Sequence, residues 1–380
     1  MYSQPFSHID KQDFLANYWQ KKPCLFRNAF STFPNYLSAE ELAGLALEDD
    51  IESRLIQYHT NENRWSMEHG PFEQQDFTSL GNSHWTLLVQ SVDSWVTETH
   101  ELLDHFSFIP KWRFDDLMIS YATDQGGVGP HFDNFDVFLI QGIGKRHWRV
   151  GQPGKAHRQQ EVIAGLSQMK EFEAVIDVEL SPGDMLYVPP KTAHWGISLG
   201  ESIGYSVGYR TPETRQLVTL LAEYLQESSN FGEFFEDKYR NSAAHNNQCE
   251  EQLIQWAQTQ LQTLSQQPGL LRKILCQQLS QSKLGLLPLQ NTFNIHSISE
   301  DSEIKLISGL TVIWHLEKAQ IILCIEGEQF IFEKYLITAI EKLANFEACP
   351  IKLFKKSPNT VDFPEDLSNL VNRGYVKLVN

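Results

Sequence analysis

Hydrophobic and polar residues alternate with a period of two along much of the first 210 residues. Alternate side chains of a strand point to opposite faces, so each such stretch predicts a strand with one buried face. Gly and Pro residues separate the stretches, as expected for tight turns. The predicted strands comprise residues 117–122, 136–140, 147–150, 174–180, 185–188 and 202–209. Short strands joined by turns predict an antiparallel barrel or sandwich.

After residue 210 the hydrophobic pattern takes a helical period. Thr211, Pro212 and Glu213 predict a helix start, because they supply a cap, a first-turn proline and an acid near the positive helix end. Apolar residues then recur at helical spacing over residues 217–225, 253–264 and 268–281. Beyond about residue 287, strands are predicted at 308–315 and 321–325, and helices at 333–345 and 366–373. This mixture is typical of a winged-helix module, although its many acidic residues argue against DNA binding.

Composition narrows the class of protein. The chain has 380 residues, of which 41% are hydrophobic, so it can bury a sizeable core. Its formal net charge of −17 disfavours nucleic-acid binding and favours a basic partner. Five scattered cysteines without a Cys-x-x-Cys motif predict free thiols in a reducing compartment. The sequence has neither a signal-peptide pattern nor an apolar run near the roughly 20 residues that span a bilayer, so we expect a cytoplasmic protein.

A candidate metal site begins in the motif Gly-Pro-His-Phe-Asp. His131 and Asp133 have the same parity, so on a strand both side chains would point to one side. His194 is the best candidate for a third ligand, because it follows a predicted strand and a Pro-Pro turn and opens another strand. A His-x-Asp pair with one distant His is the facial triad of non-haem iron oxygenases. Two histidines and one carboxylate also suit catalytic zinc, so these residues do not decide between iron and zinc.

Arg146 is a second candidate. If residues 145–150 form a strand, Arg146 shares its face with Trp148 and Val150, and that mostly apolar face points inward. A buried guanidinium is unfavourable without an anion. The anion could be a small dicarboxylate held through a bidentate pair, or an acidic side chain in a structural ion pair. Spacing alone does not separate these alternatives.

The combined motifs resemble those of the jumonji-C 2-oxoglutarate oxygenases, and most closely those of the bacterial ribosomal oxygenases. The motifs are F-L-A-N-Y-W-Q-K-K-P, D-L-M-I-S-Y, G-G-V-G-P-H-F-D, D-V-F-L-I-Q-G, G-K-R-H-W-R-V-G, P-G-D-M-L-Y-V-P-P, H-W-G and S-V-G-Y-R-T-P. The resemblance implies a catalytic domain over residues 1–210, with a cupin-like double-stranded β-helix at about 95–210. It further implies a helical dimerisation region at 211–286 and a winged-helix-like domain at 287–380 that does not bind DNA.

The resemblance also implies roles for individual residues. His131, Asp133 and His194 would bind Fe(II), while Arg146 and Ser120 would hold the distal carboxylate of 2-oxoglutarate, which is consumed together with O2. The substrate would be an arginine of the sixteenth protein of the large ribosomal subunit, hydroxylated at its β-carbon by a homodimer. Tyr121 and Asp124, just before the metal motif, would be candidate substrate contacts.

The same residues are also compatible with other functions. A histidine-directed ribosomal oxygenase or a lysyl demethylase would need the same iron site. A cupin-type metal hydrolase or isomerase would need no 2-oxoglutarate, and a docking protein built on an inactive barrel would need neither.

Overall fold

The computed structural model describes residues 6–154, 159–170, 172–227, 234–236, 251–282, 293–295, 298–299, 301–307, 309–355 and 363–379. Contacts within the chain divide it into two compact units, Met1–Thr211 and Pro212–Asn380. The predicted boundary after residue 210 lies next to this division. The predicted boundary between residues 286 and 287 lies outside the described residues, so the assignment of three domains stays a prediction.

An antiparallel sheet forms the frame of the first unit. Its strands are β1 Cys24–Phe26, β2 Ser53–His59, β3 Arg64–His69, β4 Trp85–Val89, β5 Phe114–Ala122, β6 Asp136–Gly151, β9 Ala174–Leu180, β10 Met185–Val188 and β11 His194–Tyr209, and a separate hairpin consists of β7 Gln160–Ile163 and β8 Leu166–Gln168. The strand order is β1-β10-β6-β11-β5-β4-β2-β3, and β9 also pairs with β6. Short helices flank the sheet: α1 Lys11–Asn17, α2 Ala39–Leu45, α3 Gln74–Thr78 and α4 His100–Asp104. The predicted β-rich core is confirmed.

Strands β6 and β11 are longer than the sequence pattern predicts. Residues 136–140 and 147–150 belong to one strand of 16 residues, and β11 has the same length. The first part of β6 pairs with β10 and the last part with β9, while β11 follows β6 along both parts. Gly144 explains the missed continuity, because a Cβ there would meet the Glu201 carbonyl oxygen at 2.0 Å. This glycine permits a close approach of two strands and does not end one.

A buried carboxylate fixes the start of β6. Asp136 is 0% exposed and accepts hydrogen bonds from Tyr187 Oη, Gln20 Nε2 and Arg113 Nη2, at 2.5, 2.9 and 3.0 Å. Tyr187 itself packs among the aromatic side chains of the core, with its ring centroid 5.1 Å from that of Phe14. Burial raises the pKa of Asp136, and the three donors partly offset that increase. The network anchors β6 directly after the His-Phe-Asp motif.

The second unit contains helices followed by a mixture of strands and helices. The helices are α5 Thr214–Glu227, α6 Glu251–Ser265, α7 Pro268–Leu279, α8 Ile337–Ala344 and α9 Glu365–Asn372, and the strands are β12 Glu303–Leu306, β13 Val312–Glu317, β14 Gln320–Ile325, β15 Glu328–Glu333, β16 Cys349–Pro350 and β17 Val376–Val379. Strands β13, β14 and β15 pair in sequence order, and β12 pairs with β16 and β17. The winged-helix assignment stays a prediction. Among the described residues, no helix is both long and apolar enough to span a bilayer.

The prediction of free thiols is wrong for one pair of cysteines. Cys276 of α7 and Cys324 of β14 form a disulfide, with their Cα atoms 5.9 Å apart. Both residues are buried, and they are separated by 48 positions in the sequence. Such a pair leaves no short motif, which is why spacing did not indicate it. Cys24 and Cys349 are free and buried.

Candidate metal centre

The structure brings the three predicted metal ligands together. One nitrogen or oxygen atom from each of His131, Asp133 and His194 lies within 4.8 Å of the other two. Asp133 Oδ2 is 3.8 Å from His131 Nε2 and 3.5 Å from His194 Nε2. Two imidazoles and one carboxylate are a donor set that suits Fe(II) or Zn(II), so the residues fit a divalent ion.

Main-chain pairing determines where the two imidazoles lie. His131 and His194 form a reciprocal antiparallel bridge, with N–O distances of 3.0 Å from His131 N and 2.8 Å from His194 N. His194 is also the first residue of β11, where it pairs with Val150 of β6. Two ligands that are distant in sequence are therefore held side by side by the backbone.

The segment from Val128 to Asp133 is irregular, and this differs from the predicted strand. Regular strand structure begins only at Asp136, and His131 contributes a single isolated bridge. All six carbonyl oxygens of the segment accept hydrogen bonds, in chain order from Gln168 Nε2, His131 Nδ1, Met169 N, His194 N, Gln159 Nε2 and Lys191 N. An irregular segment with every carbonyl satisfied can hold two ligands as firmly as a strand.

The hydrogen bonds also decide which imidazole nitrogens can bind a metal. His131 Nδ1 and His194 Nδ1 each lie 3.0 Å from a backbone carbonyl oxygen, of Gly129 and Thr192 respectively. A carbonyl only accepts, so both Nδ1 atoms carry the proton and both Nε2 atoms present a lone pair. Burial, together with the neighbouring His131, lowers the pKa of His194 to about 4. The neutral imidazole that a metal needs is thus the favoured form.

The partners of Arg146 among the described residues are all neutral. Its guanidinium donates from Nε to Ser202 Oγ at 2.8 Å and from Nη1 to Ser120 Oγ at 2.8 Å. Nη2 donates to the carbonyl oxygens of Ser120 and Ser202, at 3.0 and 3.3 Å. Burial lowers the pKa of Arg146 to about 10, which leaves the group charged at neutral pH. No acidic side chain among the described residues pairs with it, so the predicted alternative of a structural ion pair is not observed.

Ser120 contacts Arg146, as expected if both residues belong to one binding site. Two further hydroxyl groups beside Arg146 were not identified from the sequence. Ser198 and Ser202 of β11 are both 0% exposed, and their Oγ atoms are 2.6 Å apart. They flank the segment Leu-Gly-Glu, whose glycine suggests a turn. The available signal was the pairing of Ser198 with Arg146 across β6 and β11, which requires the register of the sheet.

The two predicted substrate contacts have structural partners. Asp124 Oδ1 accepts a hydrogen bond from Gly200 N at 2.8 Å, so this carboxylate braces the bulged part of β11. Tyr121 lies beside Glu201, and burial followed by that carboxylate raises the pKa of Tyr121 to about 12. Contact with a substrate stays a prediction for both residues.

Comparisons with known proteins identify the family to which this fold is similar. The family model of the JmjC domain matches residues 101–217. The chain is 44% identical over 233 residues to the ribosomal protein uL16 3-hydroxylase of Escherichia coli, which covers 61% of both chains. It is 35% identical over 212 residues to a probable ribosomal oxygenase of Haemophilus influenzae, which covers 56% of this chain and 52% of the relative. The matches thus span between half and two thirds of these curated relatives.

Solved structures match over the whole length. The crystal structure of E. coli YcfD has a TM-score of 0.84 and 33% identity, with 100% of both chains covered. YcfD, a ribosomal oxygenase, in complex with cobalt and 2-oxoglutarate matches with a TM-score of 0.82, 33% identity and the same coverage. The predicted jumonji-C, cupin-like fold is confirmed, and the chain belongs to the JmjC-domain family that includes the ribosomal oxygenase YcfD.

Proposed function

We propose that this protein is an Fe(II)- and 2-oxoglutarate-dependent hydroxylase that acts on the β-carbon of an arginine of ribosomal protein uL16. The observation that carries the proposal is the half-buried, charged Arg146, which has no acidic partner among the described residues and lies on the same strand pair as His194. The mechanism of a cupin-type metal hydrolase does not require such a cation. A dicarboxylate cosubstrate, in contrast, supplies the anion that Arg146 lacks.

His131, Asp133 and His194 would hold Fe(II) and leave coordination positions for a chelating cosubstrate and O2. When bound, the iron supplies oxidative chemistry that converts O2 and 2-oxoglutarate into succinate, CO2 and one hydroxyl group on the substrate. The side chains of this chain would keep the reactants in place and exclude water. Removal of hydrogen from carbon needs no acid or base, so the other histidines have no catalytic role in this proposal.

Arg146 and Ser120 would hold the distal carboxylate of 2-oxoglutarate. The Ser120 hydroxyl donates to the Gly204 carbonyl oxygen at 3.3 Å, which is long for an O–H donor. A carboxylate bound beside Arg146 would be a better acceptor, because hydrogen bonds to charged groups are stronger. Ser120 can therefore exchange a weak bond within the protein for a strong bond to the ligand.

The similarity to a ribosomal protein uL16 3-hydroxylase supports uL16 as the substrate, and the net charge of −17 suits a basic ribosomal protein. We further propose that the protein is a cytoplasmic homodimer that does not bind DNA. Exposed apolar side chains on α5 and α6 support self-association, because Val218 is 59% exposed and Leu261 65% exposed. Light scattering on the purified protein tests the dimer.

The test of function combines Fe(II), 2-oxoglutarate and O2 with purified uL16. We expect succinate release and an arginine that gains the mass of one oxygen atom, located by fragment mass spectrometry. Both signals should disappear in His131→Ala and in Arg146→Ala. His147→Ala is the matched control, because its imidazole pairs with Asp177 outside the candidate site.

Other outcomes of this experiment favour the alternatives. Oxygen gained on a histidine indicates a histidine hydroxylase, and loss of a methyl group from a lysine indicates a demethylase. Turnover of a substrate without consumption of 2-oxoglutarate indicates a hydrolase or isomerase and contradicts the proposal.

A further inference from the structure

We propose that Ser202 and Ser198 are positioning residues that fix the orientation of the Arg146 guanidinium and thereby set the affinity for the distal carboxylate of the cosubstrate. The proposal rests on the proposed function. Both serines are 0% exposed, so they act through Arg146 and do not touch the ligand themselves.

The direction of each hydrogen bond in this cluster follows from its partners. Arg146 Nε can only donate, so Ser202 Oγ accepts from it at 2.8 Å. Ser198 Oγ lies 2.7 Å from the Gly200 carbonyl oxygen, which can only accept, so Ser198 donates to Gly200. The Ser202 proton is then directed to Ser198 Oγ at 2.6 Å. The chain of donors runs in one direction only, from Arg146 through Ser202 and Ser198 to the backbone.

The same bonds determine what Arg146 can offer to a ligand. A guanidinium has five N–H groups, and the four hydrogen bonds of Arg146 use one on Nε, one on Nη1 and both on Nη2. One N–H on Nη1 therefore has no partner among the described residues. Together with the Ser120 hydroxyl, it can bind the two oxygens of a carboxylate. This arrangement differs from the bidentate guanidinium pair expected from the sequence, because the protein itself occupies the other N–H groups.

Ser202 decides which N–H group faces the ligand. Its Oγ and its carbonyl oxygen hold Nε and Nη2 on one side, while Ser120 holds Nη1. The backbone of Gly204 lies against the guanidinium, where a Cβ would be 2.7 Å from Nη1. Without Ser202 Oγ, the Nε–H group of Arg146 loses its acceptor and the plane of the guanidinium is no longer fixed.

The experiment measures binding of 2-oxoglutarate to the full-length protein loaded with redox-inactive Zn(II), by calorimetry, and in parallel KM and kcat with Fe(II). Ser202→Ala should raise the dissociation constant and KM roughly tenfold, because one hydrogen bond to a charged group is lost, and leave kcat near wild type. Ser198→Ala should raise them by a smaller factor, about threefold, since it acts one step further away. Ser202→Thr keeps the hydroxyl and should restore affinity.

The matched control is Ser53→Ala, which removes a buried strand hydroxyl without a hydrogen-bond partner in the described part of the chain and should leave affinity unchanged. A second ligand, 2-oxobutanoate, lacks the distal carboxylate, so its affinity should be the same for all variants. Equal losses for both ligands would mean a general structural effect and overturn the proposal, as would unchanged affinity of Ser202→Ala for 2-oxoglutarate. If Ser202→Ala does not fold, Ser198→Ala decides by the same criteria.

Failure of the proposed function gives a different result. In that case the wild-type protein itself does not bind 2-oxoglutarate, and this inference falls with it. If the wild type binds and Ser202→Ala binds equally well, only the positioning role is overturned.

Discussion

Gly204 occupies a position on β11 where any side chain would collide with the guanidinium of Arg146. The Cβ of an alanine would lie 2.7 Å from Nη1 and 3.1 Å from Cζ, both closer than a normal contact. We therefore expect Gly204→Ala to displace Arg146 and raise the KM for 2-oxoglutarate at least tenfold, a change of about 1.4 kcal/mol in binding free energy. Kinetics with saturating uL16 measure it.

Gly44→Ala is the control for this substitution, because a Cβ at Gly44 meets nothing within 4 Å. It should leave KM unchanged. An unchanged KM in Gly204→Ala as well would mean that Arg146 does not determine binding of the cosubstrate.

Asp93 makes a pH-dependent contribution to the stability of the first unit. Burial, with a smaller effect of Asp116, raises its pKa to about 6, although Leu117 N donates to it. The folded state therefore holds the proton more tightly than the unfolded state. The stability that this provides is present below the unfolded pKa near 3.8 and is lost as the pH rises through about 6.

Asp93→Asn removes the charge and keeps an acceptor for Leu117 N. We expect it to raise the melting temperature at pH 8 and to have little effect at pH 4, measured by thermal unfolding. Asp49→Asn, at an exposed position, should have no effect at either pH. Equal effects of Asp93→Asn at both pH values would contradict the role of its ionisation.

At the scale of elements, alternation and turn residues predicted five of the eleven strands described in the first unit, namely β5, β6, β9, β10 and β11. They divided β6 into two strands because a glycine lies inside it. The sequence does not distinguish Gly144, where two strands approach closely, from a glycine in a turn. His131 and Asp133 could be proposed as ligands because His-x-Asp is a local motif, and His194 could be added because it follows a predicted strand and a Pro-Pro turn. Ser198 and Ser202 were not, since their role depends on the register between β6 and β11 and on the direction of hydroxyl protons.

The hairpin of β7 and β8 supports the segment that carries the ligands. Gln168 is 8% exposed, donates from Nε2 to the Val128 carbonyl oxygen at 2.8 Å and fills the space beside Gly129. Gln168→Ala leaves that carbonyl without its partner, at a cost of about 1–3 kcal/mol. We expect roughly tenfold weaker metal binding, measured by competition with a chelator.

Gln160→Ala is the control on the same hairpin, because Gln160 is exposed. Its metal affinity should equal that of the wild type. If Gln168→Ala lowers the melting temperature without weakening metal binding, the hairpin supports the fold alone.

At the scale of the whole molecule, the net charge of −17 makes encounter with a basic substrate sensitive to salt. We expect kcat/KM for full-length uL16 to fall as ionic strength rises from about 0.01 M to 0.15 M, over which the Debye length shortens from about 30 to 8 Å. The kcat should change little, because screening acts on association. A short peptide of low net charge that carries the target arginine is the control, and an equal salt effect on both substrates would contradict steering by charge.

The reciprocal bridge between His131 and His194 has a consequence for the binding and release of the metal ion. Since peptide groups hold the two rings side by side, we expect an ion to bind and to leave without refolding of this segment. On this expectation the ion is an exchangeable part of the molecule, and the backbone bridge gives the site its structural support.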